Sequence, residues 1–239
     1  MDNNTYKESF KIRANEVDHD GEATLPALCN LLQEVAGNHA LLLNFDITDL
    51  FKKNLTWVLH RLHVKVFRYP KWREEIEIET WPSRGDALRA YRDFRITNKD
   101  GEVLAVSLSY WMMINLENRR PTRMPAEVLD MSFRDDHTLE VRNDRIKLSD
   151  ELMPCAQFKV RKADLDMNNH VNNVNYIQWM CDAIPDDNSK LHEMDVQFLM
   201  EALRGETIEC AYHPNADGSI SFQIQNTVSG NKLAVAMGS

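Results

Sequence analysis

Asp166, Asn168 and His170 stand at alternate positions in the run Asp166-Met167-Asn168-Asn169-His170-Val171-Asn172-Asn173. A carboxylate, a carboxamide and an imidazole can together orient a water, hold a carbonyl oxygen and move a proton. In an extended segment, residues two apart project to one face, so the three side chains are expected to converge. A helical apolar pattern comes directly after them. Unpaired N–H groups at the start of that helix would suit a carbonyl group and its developing oxyanion. Asn and Asp also cap helices and make turns, and spacing alone does not choose between the two roles.

Other reactive arrangements find less support. No G-x-S-x-G elbow is present, which disfavours an α/β-hydrolase nucleophile. Cys29, Cys155, Cys181 and Cys210 lie far apart, with no C-x-x-C pair and no His at zinc-ligand spacing. They read as buried or half-buried free thiols in a reducing compartment. His60 and His63, three apart on a predicted strand, face opposite sides and make a poor metal pair. Neither a metal nor an organic cofactor is implied.

The elements that must position the cluster occur twice. Phe10–Ala36 (FKIRANEVDHDGEATLPALCNLLQEVA) aligns without a gap on Phe158–Ile184 (FKVRKADLDMNNHVNNVNYIQWMCDAI). Further on, Val64-Lys65-Val66 matches Val196-Gln197-Phe198, and Glu74 matches Glu206. Phe94-Arg95-Ile96 and Leu104-Ala105-Val106 then match Phe222-Gln223-Ile224 and Leu233-Ala234-Val235. Three matching stretches in one order indicate a tandem duplication. The halves differ where chemistry is at stake. Asp18, Asp20 and Glu22 occupy the positions of Asp166, Asn168 and His170, and the first set reads as turn and capping residues.

Each half has one order of elements: an extended segment (Lys7–Val17; Gln157–Leu165), a helix, then a run of strands. In the first helix Leu25, Leu28, Leu31, Leu32, Val35 and His39 recur at helical spacing, behind Thr24 as N-cap and Pro26 in the first turn. In the second, Val171, Val174, Ile177 and Cys181 do so. The strands are expected over Trp57–Tyr69, Glu74–Trp81, Arg89–Asn98 and Val103–Leu116. Their counterparts are Met194–Leu203, Thr207–His213, Ser219–Asn226 and Lys232–Met237, with hairpin turns at Asp100-Gly101 and Asp217-Gly218. A sheet needs an element to cover its apolar face, and the helix is available, so each half reads as α+β with a sheet wrapped round a helix. The expected boundaries are 1–125 for the first domain, 126–155 for a connector with a short helix near Ala126–Met131, and 156–239 for the second domain.

Composition sets the outer limits. With 43% hydrophobic and 27% charged residues the chain is globular. No apolar run approaches the ~18 residues needed to cross a bilayer, and the N-terminus lacks the pattern of a signal peptide, so membrane insertion is not expected and a cytoplasmic location is. The net charge of −9 argues against nucleic acid as a partner. It also means that an acidic protein partner would need a local basic patch. Arg119, Arg120 and Arg123 are one candidate; Arg84, Arg89, Arg92 and Arg95 are another. A homodimer is left open.

The run ADLDMNNHVNNVNYIQWM resembles the signature of the acyl-ACP thioesterases of plant plastids and bacteria, in which D-x-N-x-H-V-N-N-x-x-Y-I opens the catalytic helix. Trp57-x-x-x-Arg61, Arg68-Tyr69-Pro70-x-Trp72 and Thr80-Trp81 resemble that family's first-domain signature. Asn118-Arg119-Arg120-Pro121 with Met124-Pro125 is similar to its domain-closing segment. The resemblance implies a tandem hotdog fold, catalysis in the second domain, an acyl pocket shaped largely by the first, and acyl carrier protein bearing a fatty acyl chain as partner. It carries catalytic roles onto Asp166, Asn168 and His170. It also places Glu201 where the family's remaining catalytic acid stands. The family often pairs that acid with a Cys; here the neighbour is Ala202.

That departure favours attack by water over an acyl-cysteine route. Glu201, expected to be buried beside the acyl chain with a raised pKa, would serve as base. His170 would orient the water or protonate the leaving thiolate, and Asp166 would fix its neighbours. A hotdog dehydratase of 3-hydroxyacyl thioesters and a non-enzymatic acyl-binding regulator are the rival readings.

Overall fold

The computed structural model describes residues 4–129, 133–185 and 190–239. The chain divides into two compact units, residues 1–142 and 143–239. In the first, β1 (Tyr6–Lys11) precedes the long helix α1 (Leu25–Leu42) and a short helix α2 (Ile47–Lys52). Then come β2 (Leu55–Val66), β3 (Glu75–Ser83), β4 (Arg89–Asn98), β5 (Val103–Asn115), the short β6 (Arg120–Thr122) and α3 (Ala126–Leu129). The strands pair antiparallel in the order β1-β3-β4-β5-β2, with β6 beside β5. The second unit holds β7 (Met153–Lys159), a single 3-10 turn (Lys162–Asp164), α4 (Asn173–Asp182), β8 (Glu193–Phe198), β9 (Thr207–Pro214), β10 (Ile220–Asn226) and β11 (Lys232–Gly238). Its order, β8-β11-β10-β9-β7, repeats the first unit's order read from β2 to β1.

Each unit is thus the expected α+β hotdog, a helix lying on an antiparallel sheet. The helix α1 starts where the sequence signals it. Thr24 accepts the N–H of Ala27 at 3.2 Å, and Pro26 occupies the first turn, where its missing N–H costs nothing. Its apolar stripe, including Leu28, Leu32 and Val35, is buried where α1 packs on β1 and β3. Each such side chain contributes about 1.5–3 kcal/mol on burial. The second helix rests on β9 and β10 and buries Val174, Tyr176, Ile177 and Met180.

Several predicted boundaries move. The first extended segment stops at Lys11, and its counterpart at Lys159, because each runs into a tight turn held by a local Arg–carboxylate pair. The helix α4 starts at Asn173, so Val171 belongs to the entry loop. The strand expected to reach Leu203 ends at Phe198. Of the short helix expected near Ala126–Met131, α3 covers Ala126–Leu129 and Met131 lies outside the described residues. Cys155 is exposed, unlike Cys29 and Cys210, because it sits at a bulge of the outer strand β7.

Weak alternation in β4 and β5 has a physical cause, since residues 137–142 cover the outer face of that sheet. Leu139 and Val141 pack on Tyr91, Leu108 and Tyr110. Beside them Asp93 is fully buried and accepts four hydrogen bonds. These come from Ser83 Oγ (2.5 Å), Thr138 N (2.6 Å), Thr138 Oγ1 (2.9 Å) and His137 Nδ1 (3.1 Å). Asp93→Ala would strand those donors. A loss of about 3–5 kcal/mol is expected, seen as a fall in melting temperature of roughly 6–20 °C; a shift under about 2 °C would show that this network does not hold the segment.

Candidate active site

The loop before α4 is not extended. Leu165 and Val171 form an isolated antiparallel bridge, and the chain between them turns through Asn169 at φ 64°. The Asp166 carboxylate holds this turn from inside. Its Oδ1 accepts the N–H groups of Asn168 (2.8 Å) and His170 (3.3 Å), while Asp166 N–H donates to His170 O (2.8 Å). Convergence therefore comes from a closed loop, and not from the period of a strand.

The same construction exists in the first unit. Val17 bridges Ala23, Asp18 Oδ1 accepts the N–H groups of Asp20 and Glu22, and Gly21 takes the positive φ of 75°. Both loops are anchored alike: Arg13 pairs with Glu16 in one, Arg161 with Asp164 in the other. Burial opposes ionisation of Asp164 and Glu16, yet the guanidinium and the arginine N–H outweigh it and hold each carboxyl below its usual range. Asp166 and Asp18 thus share a structural task, whereas Asn168 and His170 have no chemical equivalent among Asp20 and Glu22.

Glu201 arrives from the turn after β8. Val171 N–H donates to Ala202 O (3.0 Å), as Ala23 N–H does to Pro70 O (2.8 Å) in the first unit. Ala202 N–H in turn donates to the Tyr176 hydroxyl at 3.0 Å, and burial pushes that phenol well above its ordinary pKa. The tie sets Glu201 Oε2 3.3 Å from His170 Nε2. In the first unit the position corresponding to Glu201 is the buried Tyr69. The expectation of a buried Glu201 is not met. Its side chain is 41% exposed against 20% for His170, since it lies on the surface turn beyond β8. Apolar side chains flank it on that surface: Met167, Leu199, Met200 and Leu203 are all exposed.

The helix N-terminus offers less than expected. Asn172 Oδ1 accepts Val174 N–H (3.0 Å), Asn172 O accepts Asn175 N–H (2.9 Å), and Asn172 N–H donates to Asp164 O (2.9 Å). With these amides engaged, the carboxamide of Asn168 is the better-placed donor. Its Nδ2 reaches Asp166 Oδ2 only at 3.5 Å, the outer limit of a hydrogen bond.

Models of the acyl-ACP thioesterase N-terminal and C-terminal domains match residues 3–132 and 149–237. The chain belongs to the acyl-ACP thioesterase family. It is 37% identical to oleoyl-acyl carrier protein thioesterase 2 of Arabidopsis thaliana over 80% of this chain and 57% of the plant protein. It is 33% identical to the dodecanoyl-[acyl-carrier-protein] hydrolase of Cinnamomum camphora over 85% of this chain and again 57% of the relative. The chain thus spans less than two thirds of these relatives' length. Among solved structures it resembles an acyl-ACP thioesterase from Bacteroides thetaiotaomicron (TM-score 0.89, 25% identity, 98% and 96% of the two chains). It resembles the 12:0-ACP thioesterase from Umbellularia californica similarly (TM-score 0.86, 26% identity, 98% and 96%).

Within this family fold, Tyr176, Asn175, Arg161 and Asp164 position the site, with Asn175 Nδ2 donating to Asp164 O at 2.7 Å. Sequence reasoning gives these four no role. The i, i+3 Arg–carboxylate pair recurs in both halves and is a readable signal; nothing local marks the tie from Tyr176 to Ala202.

Proposed function

We propose that the chain hydrolyses the thioester of fatty acyl-ACP, releasing a free fatty acid and the carrier protein. The observation that carries this reading is the His170–Glu201 pair at 3.3 Å, with His170 on the same closed loop as Asn168, in a chain of this family. A water held beside the His170–Glu201 pair gives its proton to Glu201 as its oxygen attacks the acyl carbon. Asn168 donates to the carbonyl oxygen as negative charge develops there. The tetrahedral intermediate collapses with loss of the C–S bond, protonated His170 delivers its proton to the leaving thiolate, and Glu201 passes the proton taken from water back to His170, which restores both groups. Asp166 acts as a positioning residue, since its carboxylate is engaged with the loop's own N–H groups. The exposed Met167, Leu199, Met200 and Leu203 supply an apolar surround for the substrate.

Incubation with acyl-ACPs of several chain lengths tests the reading. Free fatty acid and carrier thiol are expected in equal amounts; an enoyl thioester product would mean dehydration, and tight binding with no product an acyl-binding protein.

Water attack makes a further prediction. Burial pushes the Cys181 thiol up to about 12, which leaves little thiolate at neutral pH. Replacing Cys29, Cys155, Cys181 or Cys210 singly by Ser should preserve turnover per folded molecule. Loss of turnover in a folded Cys181→Ser protein would reopen a covalent route. The four free thiols also support a cytoplasmic setting; alkylation at lysis and then mass measurement should find all four reduced.

A further inference from the structure

A cleft of about 940 Å³ opens in the second unit between the end of β7 and the outer side of α4. Its floor includes Trp179, stacked on Phe158 with ring centroids 5.5 Å apart. Lys159, Arg161, Lys162 and Arg204 stand around it, against Asp164 and Asp182. Arg161 is spent on Asp164. Lys159, Lys162 and Arg204 are exposed, and among the described residues none of the three has an ion-pair or hydrogen-bond partner for its side chain.

Elsewhere the arginines are mostly committed. The basic group Arg84, Arg89, Arg92 and Arg95 dissolves in the structure. Arg84, Arg89 and Arg95 pair with Asp135, Asp86 and Glu79, and Arg92 turns to the inner face to meet His39 and Thr80. Desolvation there lowers the Arg92 pKa to about 10. A trio of cations without direct partners on a chain of net charge −9 is therefore a local feature. The duplicate unit keeps one of the three, with Lys11 in the place of Lys159. The loops superpose bond for bond, yet the first unit has Ala14 where the second has Lys162, and Trp72 where it has Arg204. Gly205 N–H donates to Val160 O just as Arg73 N–H donates to Ile12 O. Lys162 and Arg204 are particular to the unit that holds His170 and Glu201, while in the first unit the cation Arg73, at the place of Gly205, lies over the Trp72 ring.

The cleft also adjoins that site through shared walls. Asp164 and Asn175 line it and hold the entry to α4, and Arg204 stands three residues beyond Glu201. We infer that this cleft is the docking surface for carboxylates on the acyl carrier protein, with Lys159, Lys162 and Arg204 as the recognising charges. The inference rests on the acyl-ACP reading above. An acidic carrier approaching an acidic enzyme needs such a patch to set its orientation, and placement beside the site lets the acyl thioester reach it.

The test is Lys162→Glu/Arg204→Glu in the full chain, both sites being exposed and outside the catalytic set. With an acyl-ACP that the wild type hydrolyses, KM at low ionic strength should rise about tenfold while kcat holds. The difference should shrink as salt is raised. Hydrolysis of the same acyl group on uncharged N-acetylcysteamine should be unchanged. Apo carrier protein, which has no prosthetic arm, should bind the wild type and lose about tenfold in affinity for the variant by fluorescence anisotropy. Arg120→Glu/Arg123→Glu, at the other basic group, should leave KM near the wild-type value. Unchanged KM and apo-carrier affinity in the first variant, or the larger loss in the second, would overturn the docking surface while leaving the hydrolase reading intact. If the wild type hydrolyses no acyl-ACP the hydrolase reading fails, and the apo-carrier measurement still decides the surface. Should the double Glu variant not fold, Lys162→Gln/Arg204→Gln is expected to give a smaller loss in the same assays.

Discussion

Glu201→Gln is expected to lower turnover of acyl-ACP by about 10²–10⁴-fold, or roughly 3–5 kcal/mol of barrier, with KM little changed. The substitution keeps size and shape but removes the proton acceptor that faces His170 Nε2 at 3.3 Å. Because the side chain is 41% exposed, its replacement should cost the fold little, and the melting temperature should stay within about 2 °C of wild type. Single-turnover measurements separate the chemical step from product release. Near-wild-type rates in the purified variant would remove Glu201 as the base and with it the water-attack scheme.

The second large effect uses the duplication as its own control. Asn168→Ala and His170→Ala should each cost orders of magnitude in turnover, about 10²-fold or more, while unfolding shifts only slightly. The equivalent substitutions in the first unit, Asp20→Ala and Glu22→Ala, should preserve turnover per folded molecule and cost at most about 0.5–2 kcal/mol of stability. The comparison is fair because both loops are built alike: Asp166 and Asp18 each hold two backbone N–H groups, and each loop closes on a bridge. Asp166→Ala and Asp18→Ala should then behave alike in stability, since both remove the same internal staple. Equal losses of turnover from Asn168→Ala and Glu22→Ala would mean two working sites.

The duplication, the order of elements in each half and the segment that carries chemistry are all legible in the amino-acid order. They are legible because they depend on neighbours in the chain. Leu25 to His39 repeat at the helical period, Thr24 and Pro26 mark a helix start, and β4 runs between its expected ends, Arg89 and Asn98. Strand ends are less legible: past Lys11 and Lys159 a local Arg–carboxylate turn takes over, and past Phe198 the amides of Leu199 and Met200 both turn to Leu233 O, far along the chain.

The geometry of the candidate site, by contrast, exists only in the folded chain. Alternation suggests that Asp166, Asn168 and His170 share a strand face, but a bridge between Leu165 and Val171 folds them into a loop in which Asp166 serves the backbone. Helix-end amides that a linear reading leaves available are occupied by Asn172 and Asp164. Glu201 meets His170 because Tyr176 and Val171 tie Ala202 from two sides, a contact across 31 residues that no local pattern encodes. The burial of a side chain, the commitment of an N–H group and the pairing of a cation each depend on what the rest of the fold brings alongside, and that is settled only when the chain has closed on itself.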